Sequence, residues 1–218
     1  MALERDEALA RLNKLKGKDL RALADRVGIT VWTPSVAVTE VVGPNCRLNK
    51  GWAGQAIERY LELPLNSSRS PNGGSWELKL VPLKRRRDGS LQVKETMAIT
   101  MLDPVEVLAK PFKESHLFTK LKRTLVAARI YENSSETTSL LYSVAAFDLG
   151  DAIIFEKVRA DYEEVRRAIR ADGVDSLSGR MGELVQPRTK GPGHGSVSRA
   201  FYARTKFVAH IIGLGEIG

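Results

Sequence analysis

The sequence predicts an α/β or α+β domain, with strands in its middle and helices at both ends. Three observations carry this. Apolar residues recur at helical spacing through the first 28 residues and again from Phe155 to Ala171. Between them the period drops to two, in Trp76–Leu83 and in Leu91–Thr100. An Asp-Gly step, Asp88-Gly89, separates those two runs where a hairpin turn needs positive φ. With 218 residues the chain is long enough to bury a core of its own. One domain over 1–218 is expected, with a helical part (1–63), a sheet part (64–150) and a C-terminal part (151–218).

In order, Ala8, Leu12 and Leu15 form one helical stripe, and Leu20, Leu23, Ala24 and Val27 a second. Gly17 separates the two helices and Gly28 closes the second. Residues 29–48 read as irregular or short extended structure. Gly51–Leu63 is helical, with Trp52, Ala56, Ile57 and Tyr60 on one face and Pro64 as its stop. The loop that follows is dense in Asn, Ser, Pro and Gly, and the strand hairpin comes after it. Leu117–Val126, helical or extended, leads to a strand at Ala127–Tyr131. Leu140–Phe147 reads as a buried strand. Phe155–Ala171 turns Phe155, Val158, Tyr162, Val165 and Ile169 inward. A short strand is expected at Glu183–Gln186, and a last helix at Arg199–Ile212 after the Gly-rich Gly191–Gly195.

The formal net charge is +8, which speaks of partners rather than of fold. The surplus is concentrated. Six basic residues face one acid between Arg180 and His210, and six face one between Lys110 and Arg129. A polyanion is the natural partner. The 43% hydrophobic content excludes a disordered polar chain, and no apolar run approaches the roughly 18 residues of a membrane span. The charged N-terminus lacks a signal-peptide core. The single cysteine, Cys46, allows neither an internal disulfide nor a Cys-rich zinc site. The expectation is a soluble intracellular protein.

The informative stretch is Pro71-Asn72-Gly73-Gly74-Ser75-Trp76-Glu77-Leu78-Lys79. Glu77 and Lys79 are two apart on a strand and share a face, while Leu78 points into a core. Glu77 and the Leu78 carbonyl are hard oxygen ligands suited to Mg²⁺, and Lys79 is placed to orient or deprotonate a water. A surface Glu/Lys pair on a half-exposed strand is the plainer reading of this triplet alone.

Other segments add context. Asn49-Lys50-Gly51-Trp52 opens a helix carrying Glu58. Lys120-Leu121-Lys122-Arg123 is a basic cluster. Arg188-Thr189-Lys190 and Phe201-Tyr202-Ala203-Arg204-Thr205-Lys206-Phe207 follow in order. Taken together and in this order, the segments resemble the PD-(D/E)xK nucleases, and within them the MutH mismatch-repair endonucleases and the related type II restriction enzymes that cleave at GATC. The resemblance implies a restriction-endonuclease-like fold, with a central mixed sheet and flanking helices. It implies Mg²⁺-dependent hydrolysis of duplex DNA, in a bacterial cytoplasm. Glu77 and Lys79 fall on the catalytic acid and lysine, Glu58 on a helix carboxylate near the metals, and Lys120 on a second lysine. The metal ligands are Glu77, the Leu78 carbonyl and the side chain at position 72. Lys50 and Glu95 match positions near the site. Arg188, Lys190, Tyr202, Arg204 and Lys206 fall in the DNA-reading arm, with Tyr202 where adenine methylation is sensed. A homodimer or a mismatch-repair protein is the implied further partner.

Asn72 departs from this pattern, which has Asp there. A neutral amide leaves the site one charge short. Three readings follow: an engineered inactive form, a shifted loop with another acid, or a natural DNA binder that does not cut. Residues 63–76 contain no acid to serve the second. A binding module without catalysis, or a protein- or RNA-binding domain on a degenerate nuclease fold, are the competing functions. His116, His194 and His210 lack metal-ligand spacing, and His210 reads as a partly buried helix residue. The Lys84–Arg87 run reads equally as a solvated turn or a phosphate contact. Trp32, Trp52 and Trp76 read as core.

Overall fold

The protein is described by a computed structural model, which covers residues 3–34, 46–64, 70–133, 137–190 and 198–217. His194 and the Gly-rich segment around it lie outside the described residues.

Two short helices open the chain, α1 (Arg5–Asn13) and α2 (Leu20–Arg26). Gly17, at φ +73°, makes the turn between them. Asp19 caps α2 by accepting the Arg21 N–H, and also accepts the Ser139 N–H at 2.7 Å. This ties the helix pair to the sheet. The ribbon β1 (Trp32–Pro34) with β2 (Cys46–Leu48) leads into α3 (Trp52–Tyr60). Then come β3 (Glu77–Arg85), β4 (Leu91–Val93), β5 (Met97–Met101), α4 (Pro104–Ala109), α5 (His116–Leu121), β6 (Arg123–Ile130) and β7 (Leu141–Asp148). The long α6 (Ala152–Asp172), β8 (Val185–Thr189), β9 (Arg199–Ala203) and α7 (Thr205–Ile211) complete the chain.

The central sheet has the order β4-β3-β6-β7 and is mixed, because β3 and β6 run parallel while the outer pairs are antiparallel. Helices cover both faces, as in the restriction-endonuclease-like fold. Leu78, Leu125 and Ala127 point into the core built with α1–α3. Val81, Leu83, Val126 and Ala128 point into the core built with α4–α7 and a second sheet, β5-β9-β8. Strand alternation thus places Glu77 and Lys79 on the same side as Val81 and Leu83, at the start of β3.

Several expectations are corrected. The run Leu91–Thr100 is two strands in two sheets: β4 completes the hairpin over Asp88-Gly89, and β5 pairs with β9. Lys94-Glu95-Thr96 breaks the run. Leu140–Phe147 is an edge strand rather than a buried one, with Tyr142 44% exposed. The expected final helix begins at Thr205. Residues 199–203 are instead the middle strand of the second sheet, paired on both sides and with Ala200, Phe201 and Ala203 buried. A short apolar run buried on both faces has no period that separates strand from helix. The short strand foreseen at Glu183–Gln186 runs Val185–Thr189. Trp52 and Trp76 are core, but Trp32 is 41% exposed.

Candidate active site and nucleic-acid interface

The turn before β3 is set by its glycines. Gly74 sits at φ +77°. A Cβ on Gly73 would lie 2.2 Å from the Trp76 ring, so only glycine fits beneath the indole. Trp76 is fully buried, and its Nε1–H donates to the Leu3 carbonyl at 2.9 Å. The turn returns Asn72 beside the start of β3. There the Asn72 N–H donates to Glu77 Oε2 at 3.1 Å.

Glu77 is 2% exposed, and a buried carboxylate requires partners. Its Oε1 lies 2.8 Å from Lys79 Nζ and 3.3 Å from Lys120 Nζ. Lys79 comes from the same strand face. Lys120 comes from the last turn of α5, whose first turn is capped by Ser115. The register of the parallel pair, Glu77 opposite Thr124, brings the end of α5 to the start of β3. Glu77, Lys79 and Lys120, expected at one site, lie together in the structure.

Asn72 uses both ends of its amide. The Leu78 N–H donates to Oδ1 at 2.7 Å. An N–H must meet oxygen, which fixes the amide orientation and turns Nδ2 toward Glu58. Nδ2 donates to Glu58 Oε1 at 3.0 Å. Burial holds the Glu58 carboxyl above its ordinary value, opposed by the Asn72 hydrogen bond and by Lys79. Leu78 keeps its side chain in the core. The oxygen set does not fit Mg²⁺: Asn72 Oδ1 is engaged, its other face is a donor, and Glu77 already accepts from two ammoniums and an N–H. Among the described residues no group of three or more His, Cys, Asp or Glu is placed to hold a metal ion.

Two clefts meet at Lys79 and Glu95. One is lined by Lys50, Glu58, Glu95 and Arg129. The other, of about 560 Å³, runs between the two sheets past Thr96, Arg188 and Tyr202. The Arg188 guanidinium lies 5.7 Å over the Tyr202 ring, and its Nη1 donates to Thr96 Oγ1 at 2.9 Å. Burial raises the Tyr202 hydroxyl pKa, while Arg188 opposes the shift. Lys190 feels Lys79 and Lys120. Its ammonium pKa is lowered by its partly desolvated surroundings first, and by those two cations second.

Arg204 and Lys206 stand apart from this group. Arg204 donates to the carbonyls of Gly179, Met181 and Gly182 and so fixes the loop before β8. Lys206 pairs with Glu183 at 3.2 Å. Both were expected in the DNA-reading arm; in the structure Arg204 holds that loop, and Lys206 lies half-exposed at its surface. Arg129 was missed. It lies 5.4 Å from both the Trp52 and Tyr131 rings and on the cleft wall. Its signal was a lone cation within the apolar run Thr124–Ile130.

Residues 63–152 match the family model of the DNA mismatch repair enzyme MutH. Curated relatives extend the similarity well beyond that segment. A DNA mismatch repair protein MutH of Haemophilus ducreyi is 27% identical over 94% of this chain and 92% of its own length. One of Shewanella sp. (strain W3-18-1) is also 27% identical, over 94% and 93%. One of Vibrio parahaemolyticus is 24% identical over 94% and 92%. Among the described residues no helix is long and apolar enough to cross a membrane. Motif order, fold and the length of the similarity agree: the chain is similar to the MutH mismatch-repair proteins along most of its length.

Proposed function

We propose that this protein is a duplex-DNA-binding member of the MutH mismatch-repair endonuclease type, with GATC as its target and Glu77, Lys79 and Lys120 as its reaction centre. The observation that carries this is the buried Glu77 held between two lysines, beside a cleft with Arg188 and Tyr202 on its wall. Lys79, Lys120 and Lys190 form a cation cluster for a backbone phosphate. Arg188 has the fork geometry that reads guanine in the major groove. Tyr202, half-buried beneath it, contacts the adjacent base, where a methyl on adenine changes the fit. The setting is the bacterial cytoplasm, with a mismatch-repair protein or a second copy as partner.

Phosphodiester hydrolysis in such a site uses Mg²⁺ held by oxygen ligands, and the present set is one carboxylate short. Cleavage therefore depends on position 72. The test compares this chain with Asn72→Asp on unmethylated, hemimethylated and fully methylated GATC duplexes. Mg²⁺-dependent nicking by Asn72→Asp that is lost with Glu77→Gln supports the reading. Cutting only at other sequences overturns the target, and no cutting overturns the nuclease centre. The three hydrogen bonds made by Asn72 favour a second reading for the chain as it stands, a sequence-specific binder that does not cut.

A further inference from the structure

We infer that the Asn72 side-chain amide replaces a divalent cation in this protein, cross-linking Glu58 to the start of β3 so that the site is assembled without metal. The inference rests on the proposed reaction centre and adds what holds it together. With Oδ1 committed to the Leu78 N–H, the second atom of side chain 72 faces Glu58 at 3.0 Å. An amide puts an N–H there, and the contact is a hydrogen bond. A carboxylate in the same orientation puts a second oxygen there, and two like charges meet at hydrogen-bond distance. Such a pair needs a shared proton or a cation between its oxygens. Asn72 needs neither.

The surroundings reinforce this. Glu77 is balanced by Lys79 and Lys120, and its Oε2 receives the Asn72 N–H. Every oxygen that a metal would collect from Asn72 and Glu77 therefore already accepts a hydrogen from the chain itself. The site is closed by amide and ammonium donors, and a duplex phosphate meets preset cations.

The test is thermal unfolding of the DNA-free protein in EDTA and in millimolar Mg²⁺ or Mn²⁺, at mildly alkaline pH. The unaltered chain is expected to unfold at the same temperature in each. Asn72→Asp is expected to unfold several degrees lower in EDTA and to recover with the cation. The double variant Asn72→Asp/Glu58→Gln is expected to lose most of that dependence. Two measurements on the unaltered chain hold whether or not the variants fold. Electron paramagnetic resonance should find no Mn²⁺ that Glu77→Gln displaces. Affinity for a GATC duplex should be the same in EDTA as with Mg²⁺ at matched ionic strength. A Mn²⁺ site in the unaltered chain that Glu77→Gln abolishes would overturn the inference, as would an Asn72→Asp protein equally stable with and without cation. If Asn72→Asp gains cation-dependent stability yet cuts nothing, the inference stands and the nuclease reading fails. If it cuts without gaining such stability, the reverse holds.

Discussion

Among the described residues two carboxylates are buried, Glu77 and Asp161, and they are satisfied in opposite ways. Asp161, in the middle of α6, is 4% exposed and accepts the N–H groups of Glu183, Leu184 and Val185 at 2.6 to 2.8 Å. Burial raises its pKa against the pull of those bonds. Its donors are fixed backbone, and the chain around them allows no substitute. Gly182, at φ +74°, would place a Cβ 1.8 Å from the Val185 carbonyl. Glu77 has about the same burial but leans on the flexible ammoniums of Lys79 and Lys120. Fixed neutral donors make a structural anchor. Ammoniums on long side chains make a centre that, on the proposed reading, a phosphate can rearrange.

The sharpest way to break this contrast is Asp161→Ala. Two buried N–H groups, of Leu184 and Val185, and the part-buried one of Glu183 lose their acceptor together, and stability should fall by about 3–5 kcal/mol in urea unfolding. A loss under about 1 kcal/mol would mean that water reaches these groups and the anchor is unnecessary. The anchored segment runs into β8, which carries Arg188, and Arg188→Ala tests what the anchor serves. It should cost about 1–3 kcal/mol of discrimination between GATC and a single-base variant in competition binding, with little change in unfolding midpoint. Equal losses on both duplexes would reduce Arg188 to a phosphate contact.

Glu77→Gln keeps an acceptor for the Asn72 N–H but removes the charge between the lysines. Its stability cost should stay within about 1–2 kcal/mol, below that of Asp161→Ala. DNA affinity should rise several-fold at low salt and converge with the parent at high salt. Weaker binding would show that Glu77 holds the lysines for DNA rather than restraining them. The smallest effect is expected at Lys190. Its pKa is lowered from 10.5, so the fold favours the neutral amine. The charged form costs stability below the folded pKa, and that cost fades as pH rises through it toward 10.5. Lys190→Gln should therefore be slightly more stable than the parent at neutral pH, a gain that vanishes in alkali, while binding DNA less well. Paired melting curves against pH read the first effect, and neutral-pH titrations read the second.

The first strand of the site was legible because alternation and a tight turn are local. Glu77 and Lys79 share a face for no reason beyond a period of two, and Asp88-Gly89 announces the hairpin. Lys120 came from the resemblance, since its meeting with Glu77 depends on the parallel register of β3 with β6. The second sheet was not legible. Residues 199–203 become strand only because β5 and β8 flank them, and five apolar-rich residues carry no period of their own. Asp161 looked like one more charge on an exposed helix face. Its partners lie more than twenty residues away and are backbone groups, which leave no mark in side-chain patterns. The loop carbonyls that Arg204 meets and the carboxylate beside Lys206 were hidden for the same reason, since a basic residue carries no sign of the group it will meet.

The Trp76 indole reaches back to the Leu3 carbonyl across 73 residues, and this bears on the order of folding. The proposed reaction centre is seated by a contact of very long sequence separation, and Glu58, Glu77, Lys120 and Lys190 must converge from four distant segments. Loop-closure entropy must be met before any of those contacts repays it. The hairpin over Asp88-Gly89 can form early on local terms, but the Glu77 end of the same strand is secured only after the first helix has docked. One strand is thus early at its turn and late at its chemistry. Trimming the few residues ahead of α1 should slow the maturation of DNA binding more than the collapse of the core.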